Sequence, residues 1–464
     1  MALAASSKAF LVSLLVALGA RAEPLGESAA TPRSITLPDA VAYARAHQPA
    51  VRAARARIQA QKAQAETPRG QWLPRFGVTA QLFGATANQT TGSYVTLDVP
   101  DLPRIGGTRA VSKGTWKPYA STLVGLGGTQ ELFEFGRIAA QAAAEDALVA
   151  VERERAAAAD LDVAFDVEES YFAVLAAKSV ESASADAYER TRVHRDLAKA
   201  GVASGMRSPI ELTRAEAELA KLDIGRIRAS GGVATAQTVL AASVGVDEPA
   251  LDAAGTPPSP ADMPSLDEAL RRAGARDPQL LEALAQLRAD EKKSRAVGAE
   301  LRPDLSLTAT LTGRAGGAPP SGNGIPADGS GFVPNVPNWD VGVVLSWPLF
   351  DGVVDARQNA ARAEAQVRRE ELGEIRRAQI AAVREAYVTV HVSRSALGGL
   401  RHAVDAARAN YAQADARFRA GLGTSVELAD AEAVRTDADI QLALGEFELA
   451  RARAAFGRTI AEGL

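Results

Sequence analysis

The sequence contains no cysteine. That excludes disulfides, thiolate metal ligands, a cysteine nucleophile and a lipid-bearing N-terminal cysteine. Four histidines and three methionines leave soft-metal chemistry poorly supplied. His47, His194, His391 and His402 lie at no metal-ligand spacing from one another. Aromatic residues make up only 5% of the 464, and alanine supplies much of the 47% apolar content, which favours closely packed helices over a bulky core. Lys and Arg (52) nearly balance Asp and Glu (56), with no basic block, so the electrostatic footprint of a nucleic-acid binder is missing. No Gly-rich phosphate loop follows a strand, and no Ser/His/Asp set has a suggestive context; neither a cofactor nor an enzyme is expected.

Long apolar runs are also scarce. The one that stands out, Ala9 to Ala20, follows Lys8 and precedes Ala20-Arg21-Ala22, the pattern of a secretory signal peptide over residues 1–22. Beyond it nothing approaches the ~18 apolar residues of a membrane-spanning helix. The mature chain is expected to be exported, and either soluble or embedded as a β-barrel, which conceals its hydrophobicity by alternation.

What is present is a repeat. Leu37, Ala40, Pro49 and Pro74 return as Leu266, Ala269, Pro278 and Pro303, all 229 residues on. Glu169-Ser-Tyr171 returns as Glu385-Ala-Tyr387, and Ile210-Glu211-Leu212 as Val426-Glu427-Leu428, both at 216. Ala200-Gly201 matches Ala420-Gly421 at 220, which makes the first turn four residues longer than the second. The expected organisation is a first repeat over 23–245, a proline-rich connector over 246–264 and a second repeat over 265–464.

Each repeat opens with an amphipathic helix, roughly 36–70 and 265–299. Alternating segments follow: Phe76, Val78, Ala80 and Leu82; Leu305, Leu307, Ala309 and Leu311; Val341, Val343, Leu345 and Trp347. Period two means strands with one apolar face. Within each repeat the two strands are separated by long Gly/Pro/Asn/Thr-rich loops, about 84–117 and 313–338. Proline is then absent between Pro118 and Pro209 and after Pro348. Residues 352–421 are long enough for about 100 Å of helix. Val383, Ala386, Val390, Ser393, Leu397, Leu400, Val404, Ala407, Tyr411, Ala414 and Phe418 mark a coiled-coil seam on it. The counterpart, about 137–200, is less regular, with Glu181 interrupting the stripe. Gly201 and Gly421 are expected to break these helices, and another helix returns from each. Leu132-Phe133 and Leu349-Phe350 are expected to pack where strand passes into helix, and Trp72, Trp116, Trp339 and Trp347 lie near strand ends.

Four apolar-faced strands per chain leave two open edges, which cannot face lipid. A membrane barrel would therefore be shared, with eight strands from a dimer or twelve from a trimer. Helices far longer than the ~30 Å hydrocarbon layer would project away from it. The alternatives are a periplasmic coiled-coil structural or adaptor protein without a pore, and an exported helical enzyme or binding protein.

The duplicated Leu37-Pro-Asp-Ala-Val opening resembles the TolC-type outer membrane efflux protein family. So do Gln130-Glu-Leu-Phe-Glu-Phe-Gly-Arg137, Trp347-Pro-Leu-Phe-Asp-Gly352 and the run from Arg417 to Ala431, and the likeness covers essentially the whole mature chain. It implies an α+β membrane protein: a homotrimer with a twelve-stranded outer-membrane barrel and a tunnel of long helical hairpins in the periplasm of a Gram-negative bacterium. It implies a passive exit duct for tripartite efflux or type I secretion, with a periplasmic adaptor and an inner-membrane pump as partners. By the same resemblance Gly201, Val202, Gly421, Leu422, Gly423 and Thr424 form the adaptor-contact tips. Glu211, Glu427 and Asp430 become acidic positions at the entrance; the alternative role for them is that of solvated acids at helix N-termini. Gly423 stands where some members carry an arginine that latches the closed state, and Arg207 is the candidate replacement.

Overall fold

The computed structural model describes residues 32–86, 118–255, 263–316 and 336–462. The leader segment 1–22, most of the two long loops, Trp116 and part of the connector lie outside the described residues. The first half runs β1 (Arg33–Ile35), α1 (Leu37–His47), α2 (Pro49–Glu66), β2 (Arg75–Thr86), β3 (Pro118–Phe133), α3 (Arg137–Ala203) and α4 (Pro209–Val244). The second half runs β4 (Leu251–Ala253), α5 (Leu266–Arg276), α6 (Pro278–Gly298), β5 (Asp304–Gly316), β6 (Val336–Ser346), α7 (Gly352–Arg419) and α8 (Ser425–Thr459).

The opening helix of each half is two helices rather than one. The residue before a proline is pushed out of the helical region, and Gln48 (ψ 129°) and Asp277 (ψ 116°) both obey. The break lets Gln48 cap another helix: its Nε2 donates to the carbonyls of Ala242 and Ser243 at the end of α4. Asp277 instead caps its own successor, accepting from the Gln279 amide. β1 pairs in parallel with β4 in the connector region, a clasp the sequence pattern did not indicate.

The four long strands form one antiparallel sheet ordered β2-β3-β5-β6, so the two hairpins join across the repeats through β3 and β5. Val78, Leu126, Leu311 and Trp339 are register neighbours across all four strands, and all are exposed. In the next row of that face Phe76 and Val341 flank Gly128 and Ala309. The opposite face carries Thr79, Gly127, Thr310 and Asp340 and neighbours like them. The outer strands β2 and β6 have no further partner among the described residues. Leu132, Phe133, Leu349 and Phe350 do not pack at the strand–helix passage as expected: all four are exposed, Phe350 at 85%.

No described helix is long and apolar enough to cross a membrane. At 67 and 68 residues, α3 and α7 are each about 100 Å long. Buried residues recur every seventh position along α7 at Val383, Val390, Leu397, Val404, Tyr411 and Phe418, which keeps a coiled-coil seam facing its neighbour. On α3 the equivalent seam runs Ala187, Thr191, His194, Ala198 and Gly201, small and partly polar. Mid-length cores form where α1 and β4 cover α3 and α4, and where α5 covers α7 and α8.

Candidate functional site

The ends of the two helical hairpins lie far from the sheet and carry the residues expected as adaptor-contact tips and entrance carboxylates. At the second tip α7 stops at Arg419, and Gly421 takes φ +74°, a left-handed turn that favours glycine. The amides of Leu422 and Gly423 fold back onto the Arg417 carbonyl. Thr424 then caps α8, accepting from the Glu427 amide. A Cβ on Gly423 would sit 3.1 Å from the Phe418 nitrogen, so the turn closes tightly over the end of α7.

The first tip repeats this geometry at an unbroken offset of 216, and here the expected position of the turn is corrected. α3 does not end at Gly201; it runs to Ala203, and the left-handed residue is Gly205, at φ +72°. The amides of Met206 and Arg207 fold back onto the Gly201 carbonyl, as those of Leu422 and Gly423 do onto Arg417. The first tip is therefore not longer than the second. Gly201 and half-buried Val202 belong to the last helical turn and not to the turn itself. The exposed residues at the two summits are Met206 and Leu422, 80% and 76% accessible, with Ile210 and Val426 beside them. Met206, Ile210 and Val426 are not among the expected contact residues, although the 216 offset already pairs Ile210 with Val426.

Gly201 is buried because Arg207 lies on it. A Cβ there would stand 2.6 Å from the Arg207 Cδ. The guanidinium donates to the Glu211 carboxylate and to the Phe418 carbonyl, each at 2.7 Å, and stacks 3.8 Å from the Phe418 ring centroid. The Arg207 side chain is only 16% exposed. One cation thus ties the first hairpin's turn to the end of the second hairpin's long helix. The Phe418 carbonyl also accepts from the Gly421 amide at 3.0 Å, and a hydrogen bond from a charged donor to its second lone pair is worth about 1.5–3 kcal/mol.

The three expected entrance carboxylates are not equivalent. Glu211 is half-buried and committed to Arg207. Glu427, on the first turn of α8, is 3.3 Å from Arg417 and largely open to solvent. Asp430, three residues on, is exposed and makes no ion pair among the described residues.

Behind the tips lies a polar joint that the sequence pattern missed. Arg190 on α3 holds Glu432 on α8 through both carboxylate oxygens at 2.8–3.2 Å. Glu432 is 3% exposed and also accepts from Thr436. Tyr411 on α7 lies between Arg190 and Arg435, and burial, reinforced by nearby Glu432 and Asp415, pushes its hydroxyl up to about 12. The Tyr411 hydroxyl pairs with His194 Nε2 at 2.7 Å. No group of described residues could hold a metal ion.

Comparison with known proteins gives this arrangement a context. The chain is similar in structure to the outer-membrane channel OprN (TM-score 0.71, 22% identity, 92% of this chain and 90% of that one). It is also similar to the CmeC outer membrane channel of Campylobacter jejuni (0.71, 16%, 92% and 86%). An open state of the Neisseria gonorrhoeae MtrE outer membrane channel matches as well (0.65, 18%, 92% and 89%). No curated protein sequence matches the chain. The model of the outer membrane efflux protein family matches residues 41–246 and 269–460, one segment for each repeat, and the chain belongs to that family.

Proposed function

We propose that the protein is the passive exit duct of a tripartite efflux pump or type I secretion system, in the outer membrane of a Gram-negative bacterium. The observation that carries this reading is the four-stranded sheet, apolar on one face and polar on the other, whose edge strands β2 and β6 have no further partner among the described residues. Unpaired backbone groups are too costly to present to lipid. Three copies pairing β6 of one with β2 of the next give a closed twelve-stranded barrel with the polar face inward. The strands, 11 to 16 residues long, meet the ~9–11 that a bilayer requires.

The helices support the same assembly. α4 and α7 each keep a flank uncovered among the described residues, with Ile224, Ile227 and Val239 exposed on one and Val388 and Val392 on the other. Packing α4 of one copy against α7 of the next covers both and closes a periplasmic tunnel. Held by its barrel, the chain needs no lipid anchor. Asp430 and Glu427 line the entrance in this reading, three copies of each forming a ring that selects on charge. Glu211 holds Arg207 in place instead. The summits at Met206 and Leu422, with Gly421, Gly423 and Thr424, dock a periplasmic adaptor, and an inner-membrane pump supplies the energy.

A poreless periplasmic coiled-coil protein leaves the exposed row Val78, Leu126, Leu311 and Trp339 without a purpose. Cell fractionation separates the two. The duct reading expects an outer-membrane trimer that dissociates on heating in detergent; a soluble monomer in the periplasmic extract would overturn it.

A further inference from the structure

His194 differs from the other seam residues. It lies on α3, is 7% exposed, and meets the second hairpin on three sides. From α7 come the Tyr411 hydroxyl at 2.7 Å from Nε2, the Asp415 carboxylate at 3.8 Å from Nδ1, and the Phe418 ring edge-on at 6.1 Å. Nδ1 is buried and has no hydrogen-bond partner. Phe418 is the residue whose ring and carbonyl receive Arg207, so His194 and the tip latch share one support.

The charges around the ring are already assigned. Asp415 is paired with Arg419 at 3.0 Å on α7, and Glu432 on α8 with Arg190 on α3. Arg435 on α8 faces the same Tyr411 ring. Arg419 and Arg190 therefore act on the imidazole against a single carboxylate, Asp415, which is itself engaged by Arg419, while Arg435 and Glu432 bear on the Tyr411 partner. With His194 neutral, Nδ1–H points toward Asp415 and Nε2 accepts from Tyr411. A second proton on the ring would turn Nε2 into a donor and leave the buried Tyr411 hydroxyl hydrogen without its acceptor, while adding a cation to a site in excess of cations.

We propose that the His194 joint makes the tunnel entrance proton-responsive: acidification loosens the seam between the two hairpins behind the tips and favours their separation. Burial, with Arg419 and Arg190 adding to it against Asp415, lowers the imidazole below its ordinary 6.5. The sign follows from linkage. The packed state binds fewer protons than a state in which His194 meets water, so its advantage is complete above 6.5 and is lost as pH falls from there toward the lowered value. The entrance is a property of the duct reading, but the movement at the joint can be read without conductance.

The absence of cysteine gives a clean background for labelling. Spin labels at Ser204→Cys and Leu422→Cys, both exposed and one on each tip, report the separation of the hairpins by pulsed electron paramagnetic resonance. Between about pH 7.5 and about pH 5.5, either side of the histidine range, the longer-distance population should grow severalfold. His194→Gln, neutral throughout and able to bond Tyr411, should hold the short distance at both. Tyr411→Phe removes the hydroxyl that favours the neutral ring and should move the transition to higher pH. An unchanged distance distribution in the parent protein, a response in His194→Gln equal to the parent's, or an unmoved transition in Tyr411→Phe would each overturn the inference. A pH response in a protein that forms no pore would refute the duct and leave the joint standing.

Discussion

At the first tip an arginine leaves the turn, crosses a glycine and fastens to the end of the neighbouring hairpin; at the second, 216 residues later, the equivalent residue is Gly423 and nothing crosses back. The backbones match, with Gly205 and Gly421 both left-handed and the same two amides folded onto the preceding helix. Duplication thus preserved the turn, which backbone sterics dictate, and let the side chains diverge. One tip carries the crossing arginine and the other receives it. The difference shows how a repeated fold acquires a one-sided device: one cation crosses between the two turns, and a side chain at position 423 would meet the Phe418 backbone.

This contrast can be broken at several points. The largest expected effect lies behind the tips, at the buried pair. Glu432→Ala leaves the largely buried Arg190 charge without its carboxylate and should cost roughly 3–5 kcal/mol in unfolding followed by circular dichroism. Glu427→Ala removes an exposed partner of Arg417 and should cost under about 1 kcal/mol in the same assay.

Arg207→Ala should come next, at about 1.5–3 kcal/mol, and should raise the conductance of the reconstituted protein as the tips part. Gly201→Ala should reproduce part of that effect without touching the arginine, because its methyl group would occupy the space of Arg207 Cδ. If Gly201→Ala leaves conductance unchanged while Arg207→Ala raises it, the seat under the arginine is not needed.

The turns themselves should be interchangeable. Gly205→Ala and Gly421→Ala force a Cβ into the left-handed region and should each cost about 1–2 kcal/mol, equal within error. The smallest energetic effect belongs to Asp430→Ala, an exposed residue with no ion pair among the described residues, at a few tenths of a kcal/mol, and the electrical readout is taken on its double variant with Glu427→Ala. Its signature is cation selectivity in planar bilayers; unchanged reversal potentials would remove these carboxylates from the entrance.

Much of the architecture was legible in the sequence because periodicity is a one-dimensional signal. The heptad from Val383 to Phe418 and the alternation from Leu305 to Leu311 state helix seam and sheet face directly. The pattern points to Gly201 rather than Gly205 because both glycines stand near the end of α3. Only backbone geometry distinguishes the one that turns from the one that makes room. The β1–β4 clasp is three residues long on each side, too short for a period to register. His194 looked like a stray histidine since its partners, Tyr411 and Asp415, are more than two hundred residues away in sequence. The exposure of Leu349 and Phe350 contradicts the expected packing within the chain, yet suits residues that meet a neighbouring copy or lipid in the proposed assembly.

The most direct test of the duct is electrical. Purified protein added to a planar lipid bilayer should insert and give discrete, long-lived conductance steps, small in the parent and larger in Arg207→Ala. Lipid that stays electrically silent, with the protein recovered as a water-soluble monomer, would contradict the account.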